Sequence, residues 1–376
     1  MVIAIDLIGS SRNTNLFVHS LRIDFGKMMG LEPKNLHSSI PVPSVQELAS
    51  LQLEAEPSRY IRDDMDSIIS TVPSDNTLRV PLIDMTKLVD SESQETASKA
   101  SCCMQRRGIF QLINHGVSDE SLRNMNKQTQ EFFDLPLKEK KRWAQKPGSL
   151  EGYGQAFVTS EEQKLDWNDM FFLKALPIED RNLEIWPENP PKFRYSQDMR
   201  QIAVALIRFR AMGLEIETRE LCAAYEEGLY QIRMNYYPPC PQPERVTGFT
   251  PHVDIPGFAM LLDCGDTPGL QVLRDGQWIF VKPLDGAVVV DMGQITEILS
   301  NGLYKAPEHR AVVNKSKERR SIVTFCYPNL SFKVGPAKEL IKLGIPPLYK
   351  TVTVEEYLGC FFNRKLEVPF IDTLKI

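Results

Sequence analysis

A histidine and a carboxylate two residues apart, His252 and Asp254, have types and spacing that could bind a metal ion. On a β-strand, residues two apart point to the same face, so both side chains could converge on one point. Imidazole and carboxylate together suit a first-row divalent cation. The pair alone is a weak signal, because a chain with 49 acidic residues and five histidines often contains such a pair by chance. A hydrogen-bonded histidine at a strand edge is an equally good interpretation.

Further residues along the chain favour the metal interpretation. His309 begins another β-rich run, and two histidines with one carboxylate leave three open positions of an octahedral ion, as in non-haem Fe(II) sites. Further on, Arg319 and Ser321 share one face of a predicted strand, while Arg320 points the other way. A guanidinium beside a hydroxyl can hold a small carboxylate. Taken alone, however, Arg-x-Ser on a strand is more often a solvated edge pair.

The elements that must position these residues alternate between helices and strands up to about residue 222. Ser44 and Ser118 each precede apolar residues at helical spacing and are suitable N-caps. An Asp- and Ser-rich stretch, 63–76, predicts a surface loop. The remaining predictions for this part are helices over 44–53, 93–106, from 118 onward and over 195–222, and strands over 80–83 and 108–113.

After Ile232 the chain changes to short strands separated by turn residues. Asp275-Gly276 lies between two β-rich arms, which is a strong signal for a hairpin. Further strands are predicted over 287–291, 309–314 and 321–325, and a final helix over 354–364. Several short strands at this spacing indicate a sandwich or a jelly roll.

The composition limits the class of protein. The chain has 376 residues, of which 42% are hydrophobic and 25% charged, with a net charge of −5, which excludes collagenous, coiled-coil and wholly disordered proteins. The absence of long Lys/Arg runs argues against a nucleic-acid partner, and no apolar run is long enough to span a bilayer. Seven cysteines without a CxxC motif do not suggest disulfides or zinc. Without a basic, apolar leader at the N-terminus, we expect a cytoplasmic protein.

Taken together, these motifs resemble a known family. The run 233–243, the residues His252, Asp254, His309, Arg319 and Ser321, and the upstream segments 110–117, 131–136, 151–154 and 164–167 carry the resemblance. Over about residues 41–376 the chain is similar to plant 2-oxoglutarate- and Fe(II)-dependent dioxygenases. The branch indicated is that of senescence-related and codeine-demethylase-like enzymes, with flavonol and anthocyanidin synthases more distant.

The resemblance implies a mainly β fold with flanking helices, built on a double-stranded β-helix (jelly-roll) core. It implies an irregular extension over 1–40, an N-terminal α/β region over 41–185, the catalytic core with its long backing helix over 186–345, and a C-terminal helix and tail over 346–376. By matching positions, His252, Asp254 and His309 bind iron and are the catalytic centre. His115 matches a structural position.

The resemblance also implies the cofactors and the reaction. Arg319, Ser321 and Tyr237 match residues that hold the distal carboxylate of 2-oxoglutarate, and Asn235 matches a residue near this co-substrate. The implied activity uses Fe(II), 2-oxoglutarate and O2, with ascorbate in support, and releases succinate and CO2. It hydroxylates or O-demethylates a small specialised metabolite, such as an alkaloid or a phenolic, and we expect a monomer without nucleic-acid or membrane partners.

The substrate side departs from the family pattern. Gln294 stands where an Asp is common, and residues 255–260 lack the usual Ser/Thr residues. From their positions we expect Phe325, Phe258, Tyr153 and Arg233 to determine substrate selectivity. Two alternatives remain open, namely a protein of the same fold that has non-redox metal chemistry or is an inactive binder, and a non-enzymatic jelly-roll interaction module.

Overall fold

The computed structural model describes residues 40–51, 56–62, 80–89, 108–146, 149–155, 158, 160–186, 194–342, 344–364 and 369–376. The loop expected over 63–76, the helix expected over 93–106 and the first 39 residues of the expected extension lie outside the described residues.

The described residues form nine α-helices. They are α1 (Val45–Ser50), α2 (Met85–Val89), α3 (Asp119–Asp134), α4 (Leu137–Lys140), α5 (Arg194–Gly213), α6 (Arg219–Glu226), α7 (Gln294–Leu299), α8 (Lys338–Lys342) and α9 (Val354–Phe362). Both expected serine caps are confirmed, because the hydroxyl of Ser44 accepts the N–H of Glu47 and that of Ser118 accepts the N–H of Ser121. Local hydrogen bonding therefore sets where these helices begin.

The single helix expected over 195–222 is wrong, since the chain forms α5 and α6 with a break between them. After Gly213 the backbone of Glu215 takes a positive φ of 55°. The N–H of Ile216 then bonds back to the carbonyl of Ala211, which ends α5. The apolar periodicity continues across the break, and it therefore conceals the break in the sequence.

The described strands form two large packed sheets and one separate two-stranded sheet. The described strands are β1 (Leu82–Asp84), β2 (Ile109–Ile113), β3 (Gly152–Gly154), β4 (Asp169–Leu176), β5 (Leu229–Tyr237), β6 (Thr247–His252), β7 (Phe258–Asp263), β8 (Leu270–Arg274), β9 (Gln277–Phe280), β10 (Val288–Met292), β11 (His309–Val312), β12 (Arg319–Tyr327), β13 (Lys333–Val334) and β14 (Val352–Thr353). Among them, an eight-stranded sheet has the order β1-β2-β10-β7-β12-β5-β4-β3, and a four-stranded sheet has the order β6-β11-β8-β9. β13 and β14 pair separately.

The two large sheets contact each other through side chains. Ile109 and Val289 of the larger sheet pack with Leu270 and Val272 of the smaller one. Long helix α5 packs on the opposite face of the larger sheet, where Leu206 joins the main core. This is the expected jelly-roll core with helices outside.

The expected hairpin is also confirmed. Asp275 and Gly276 have φ values of 48° and 75° and connect β8 to β9 in a two-residue turn. Positive φ at both positions is what a tight hairpin of this kind requires.

Strands from the expected N-terminal region and from the expected core belong to the same sheet. β1 and β2 extend it at one edge, and β3 and β4 extend it at the other. The boundary at residue 185, between the expected N-terminal region and the expected catalytic core, therefore stays a prediction. None of the helices within the described residues combines the length and the apolarity that crossing a bilayer requires.

Candidate functional site

His252 and His309 face each other across two neighbouring strands. β6 ends at His252, β11 begins at His309, and the antiparallel register pairs these two residues directly. The expectation that Asp254 continues the same strand is wrong, because β6 ends at His252 and Asp254 lies in the following loop. Its carboxylate nevertheless lies 3.5 Å from His252 Nε2 and 3.8 Å from His309 Nε2.

The three side chains form a compact donor set. One ligand atom from each of His252, Asp254 and His309 can be chosen so that all lie within 4.8 Å of one another. His252 Nδ1 lies 2.8 Å from the carbonyl oxygen of Thr250, which orients the ring and leaves Nε2 for the cluster. Two imidazole nitrogens and a carboxylate fit a first-row divalent cation such as Fe(II).

The protonation states suit a cation. Burial and the neighbouring His252 lower the pKa of His309 to about 4, so this imidazole is neutral at pH 7. Burial raises the pKa of Asp254, but His309, His252 and Arg233 outweigh it and the net shift of the pKa is downward. Neutral imidazole and ionised carboxylate are the forms that bind a metal ion.

His115 lies elsewhere and has structural contacts. Its Nε2 is 2.9 Å from the carbonyl oxygen of Gly286, and its Nδ1 accepts the N–H of Val117. This bears out its interpretation as a structural histidine.

A buried carboxylate that the sequence analysis missed lies behind His309. Oδ2 of Asp291 on β10 is 3.1 Å from His309 Nδ1, the ring nitrogen that faces away from the cluster. Burial and the charge of Asp254 raise the pKa of Asp291 well above its ordinary value. Asp291 Oδ2 and His309 Nδ1 make no hydrogen bond, whereas His309 Nδ1 lies 3.3 Å from the carbonyl oxygen of Pro307. A backbone carbonyl commonly orients a metal-binding histidine in this way. An acidic residue inside the apolar run of β10 was the available signal.

The residues expected to hold a carboxylate lie together on β5 and β12. The register pairs Arg319 with Tyr237 and Ser321 with Asn235. The Asn235 amide donates to the Ser321 hydroxyl over 3.3 Å, and the Arg319 guanidinium lies 5.2 Å from the centre of the Tyr237 ring. All four side chains are buried. They form a polar site, with one guanidinium, on the same face of the sheet.

Asp263 of β7 was also missed by the sequence analysis. It pairs across the strands with Ser321, and its Oδ1 accepts a 2.6 Å hydrogen bond from Nη2 of Arg319. Burial raises the pKa of Asp263, and the attraction of Arg319 offsets this rise only in part. The two residues are 56 positions apart, so only the register of β7 and β12 reveals their contact.

Comparison with known proteins gives consistent matches. The family model for the 2OG-Fe(II) oxygenase superfamily matches residues 229–328, and the model for the N-terminal part of non-haem dioxygenase in morphine synthesis matches residues 80–189. The chain is 40% identical to oxoglutarate-dependent flavonoid 7-O-demethylase 1 of Ocimum basilicum, covering 92% of this chain and 94% of that protein. It is 37% identical to codeine O-demethylase of Papaver somniferum, covering 91% and 98%.

The chain belongs to the 2-oxoglutarate- and Fe(II)-dependent oxygenase superfamily. A crystal structure of JOX2 in complex with 2OG, Fe and JA is similar to it with a TM-score of 0.79 and 32% identity, covering 90% of this chain and 98% of that one. The resemblance seen in the sequence is confirmed. The protein is a dioxygenase-type oxidoreductase that uses Fe(II) and 2-oxoglutarate.

The oxygenase has a partly exposed apolar face, which continues the strand face that carries Arg319, Ser321, Asn235 and Tyr237. On β12, Val323 and Phe325 are half-buried, whereas the alternate residues pack into the core. Leu261 on β7 and Phe172 on β4 are half-buried on the same face, with the Phe172 and Phe325 rings 6.3 Å apart. Because a sheet face that is not packed shut can accommodate a ligand, this face is the best candidate for the substrate cavity of the oxygenase.

Arg233 lies on the same face as Asn235 and Tyr237. Its guanidinium stacks 4.3 Å from the centre of the Phe249 ring and borders a small cavity of about 30 Å³ that also includes Asp166 and Asn168. Burial lowers the pKa of Arg233. Arg233 was expected on the same strand face as Asn235, and the structure places it there.

The structure does not bring Phe258 and Tyr153 to this face. Phe258 is fully buried on the helix side of the sheet, where it contacts Tyr225. The hydroxyl of Tyr153 donates to Asp169 and Ser44 at 3.1 Å, and its ring lies beside that of Phe132. Strand alternation turns both side chains into the core. We therefore leave them out of the substrate cavity.

Proposed function

We propose that this oxygenase hydroxylates or O-demethylates a small, largely apolar specialised metabolite, such as an alkaloid or a phenolic. The observation that carries the proposal is the convergence of ligand atoms of His252, Asp254 and His309 within 4.8 Å of one another. Arg233 connects the half-buried apolar face to this cluster, because its guanidinium lies 4.3 Å from the centre of the Phe249 ring, which is 4.5 Å from the centre of the His252 ring. The names of two relatives, a flavonoid demethylase and a codeine demethylase, support the substrate class.

We assign a role to each polar residue of the site. His252, Asp254 and His309 hold Fe(II), and the carbonyl oxygen of Pro307 orients His309. Arg319, Ser321 and Tyr237 bind the distal carboxylate of 2-oxoglutarate, and Asn235 positions Ser321 through their hydrogen bond. When bound, Fe(II) together with 2-oxoglutarate and O2 supplies the oxidising chemistry, with release of succinate and CO2. The protein contributes orientation, exclusion of water and fixed charge.

We also propose that the enzyme works as a cytoplasmic monomer without nucleic-acid or membrane partners. The net charge of −5 and the lack of long basic runs support the absence of a nucleic-acid partner. We further propose an N-terminal α/β region over 41–185, a catalytic core with its long backing helix over 186–345, and a C-terminal helix and tail over 346–376. Size-exclusion chromatography with light scattering tests the oligomeric state.

An anaerobic titration with Fe(II) and 2-oxoglutarate tests the reaction class. We expect the visible metal-to-ligand absorption band only when both are present, and a rise in Tm with Fe(II) that 2-oxoglutarate increases. Aerobic reactions with ascorbate and a library of phenolics and alkaloids, followed for succinate and by mass spectrometry, then identify the substrate. A non-redox metal protein, an inactive binder or an interaction module would release no succinate with any compound.

Replacing Phe325 with alanine should lower substrate-driven turnover and leave the slow, uncoupled decarboxylation of 2-oxoglutarate nearly unchanged. The ring is half-buried on the apolar face and is opposite Ala259 in the strand register, so it can contact a substrate without packing the co-substrate site. The measurement is succinate formed with and without substrate. A parallel fall of both rates would place Phe325 in the co-substrate site or the core.

Tyr153→Phe is the matched aromatic control. It removes the hydroxyl that donates to Asp169 and Ser44, so we expect a loss of about 1 kcal/mol in the free energy of unfolding. The ratio of substrate-driven to uncoupled succinate should stay at the wild-type value.

A further inference from the structure

The arginine assigned to 2-oxoglutarate already has an anionic partner in this chain. Nη2 of Arg319 donates to Oδ1 of Asp263 over 2.6 Å, and both side chains are more than nine-tenths buried. Nε of Arg319 is buried and has no hydrogen-bond partner among the described residues. One side of the guanidinium is therefore taken by Asp263, while donor capacity remains for a second carboxylate.

The surroundings hold Arg319 beside Asp263. The Tyr237 ring lies against the guanidinium, and a side chain at position 269 would overlap Arg319 Cδ, so the backbone of Gly269 packs closely against the arginine stem. Asp263 is itself anchored by strand pairing with Ser321. The arginine has little freedom to turn away from Asp263 when a ligand enters.

The charge balance of this site is unfavourable for an anion. The carboxylate of Asp263 is the charged group with the largest effect on Arg319. Arg319 and Asp263 together carry no net charge. A distal carboxylate of 2-oxoglutarate that binds beside them therefore leaves one uncompensated negative charge in a buried place. Such a charge is costly, because low-dielectric surroundings strengthen repulsion between like charges.

We propose that Asp263 competes with the distal carboxylate of 2-oxoglutarate for Arg319 and thereby lowers the affinity of this enzyme for its co-substrate. The inference rests on the proposed role of Arg319 and adds a residue that sets co-substrate affinity. The enzyme would then respond to changes in 2-oxoglutarate concentration instead of being saturated with it.

The test is the dissociation constant of 2-oxoglutarate in wild type and in Asp263→Asn, titrated anaerobically with Fe(II) through the visible band. Asparagine keeps the shape and the acceptor oxygen facing Arg319 but removes the charge. We expect binding to tighten about tenfold or more, because repulsion between two unit charges at short range in a medium of intermediate dielectric constant exceeds the free energy of a tenfold change. Unchanged or weaker binding overturns the proposal, because an Asp263 that only orients Arg319 gives that result.

Asp266→Asn is the matched control. Asp266 is exposed in the loop after β7, so its replacement removes the same charge three positions away without touching the buried pair. We expect its dissociation constant to stay within about twofold of wild type, since solvent screens an exposed charge. An equal effect of both variants would mean that net charge, and not Asp263, sets the affinity.

A wild-type measurement keeps the proposal testable if Asp263→Asn does not fold. The neutral analogue 2-oxoglutaramate, which has an amide in place of the distal carboxylate, is compared with 2-oxoglutarate. An uncontested charge-assisted pair would favour the carboxylate by about tenfold to a hundredfold. We expect a preference below tenfold in wild type, and a preference of tenfold or more would overturn the proposal. If Arg319→Lys leaves 2-oxoglutarate binding unchanged, the assigned role of Arg319 fails; if only the Asp263 results fail, that role stands.

Discussion

The His309→Ala variant should lose iron binding and all substrate-driven turnover. It removes one of three donor atoms that lie within 4.8 Å of one another, and it leaves Asp254 and Asp291 without the ring between them. Loss of a partner that only orients a metal ligand costs about ten- to a hundredfold, so loss of a ligand itself should exceed that. The measurements are bound iron and succinate formation in enzyme that was stripped of iron and supplied with it again.

His115→Ala provides the control for this experiment. His115 is a buried histidine whose contacts are Gly286 and Val117, away from the cluster. We expect a lower Tm but normal iron content per folded protein. Wild-type turnover in His309→Ala after iron is added back would refute the assignment of the three ligands.

Arg319→Lys should raise the apparent constant for 2-oxoglutarate by about tenfold to a hundredfold. An ammonium cannot donate from both sides of a planar fork, and charge-assisted hydrogen bonds contribute roughly 1.5–3 kcal/mol each. Because Asp263 already takes Nη2 of Arg319, a lysine that keeps this ion pair has little left for the ligand. The initial rate of succinate formation against 2-oxoglutarate concentration gives the constant.

Arg320→Lys is the neighbouring control. Arg320 points to the opposite face of β12 and pairs with Glu318 over 3.2 Å near the surface. We expect the constant for 2-oxoglutarate to change by less than about twofold. Equal sensitivity at both arginines would contradict the strand register that places Arg319 in the site.

The local elements of the fold were predictable because their signals are local. Ser44 and Ser118 supply the hydroxyls that cap α1 and α3, and Asp275-Gly276 tolerates the positive φ values of a tight hairpin. The helix break at Glu215 was not predictable, since apolar periodicity continues across it.

The candidate site likewise has features that the sequence predicts and features that only the structure shows. Residue types and spacing, together with the family resemblance, predicted the cluster of His252, Asp254 and His309 and the shared face of Arg319 and Ser321. Residues two apart on a strand point to the same face, so the common face of Asn235 and Tyr237 could also be predicted from the sequence. The same rule gave a wrong prediction for Asp254, which does not lie on the strand and reaches the cluster from a loop.

Only the tertiary structure decided which buried carboxylates surround these residues and which aromatic rings face the cavity. Asp263 meets Arg319, and Asp291 meets His309, because antiparallel pairing of distant strands brings them together. Phe258 turns into the core while Phe325 stays half-exposed, since neighbouring strands place them on opposite faces of one sheet. A pattern in sequence defines the faces of a strand, but the register and the side on which the helices pack determine which face meets the ligand.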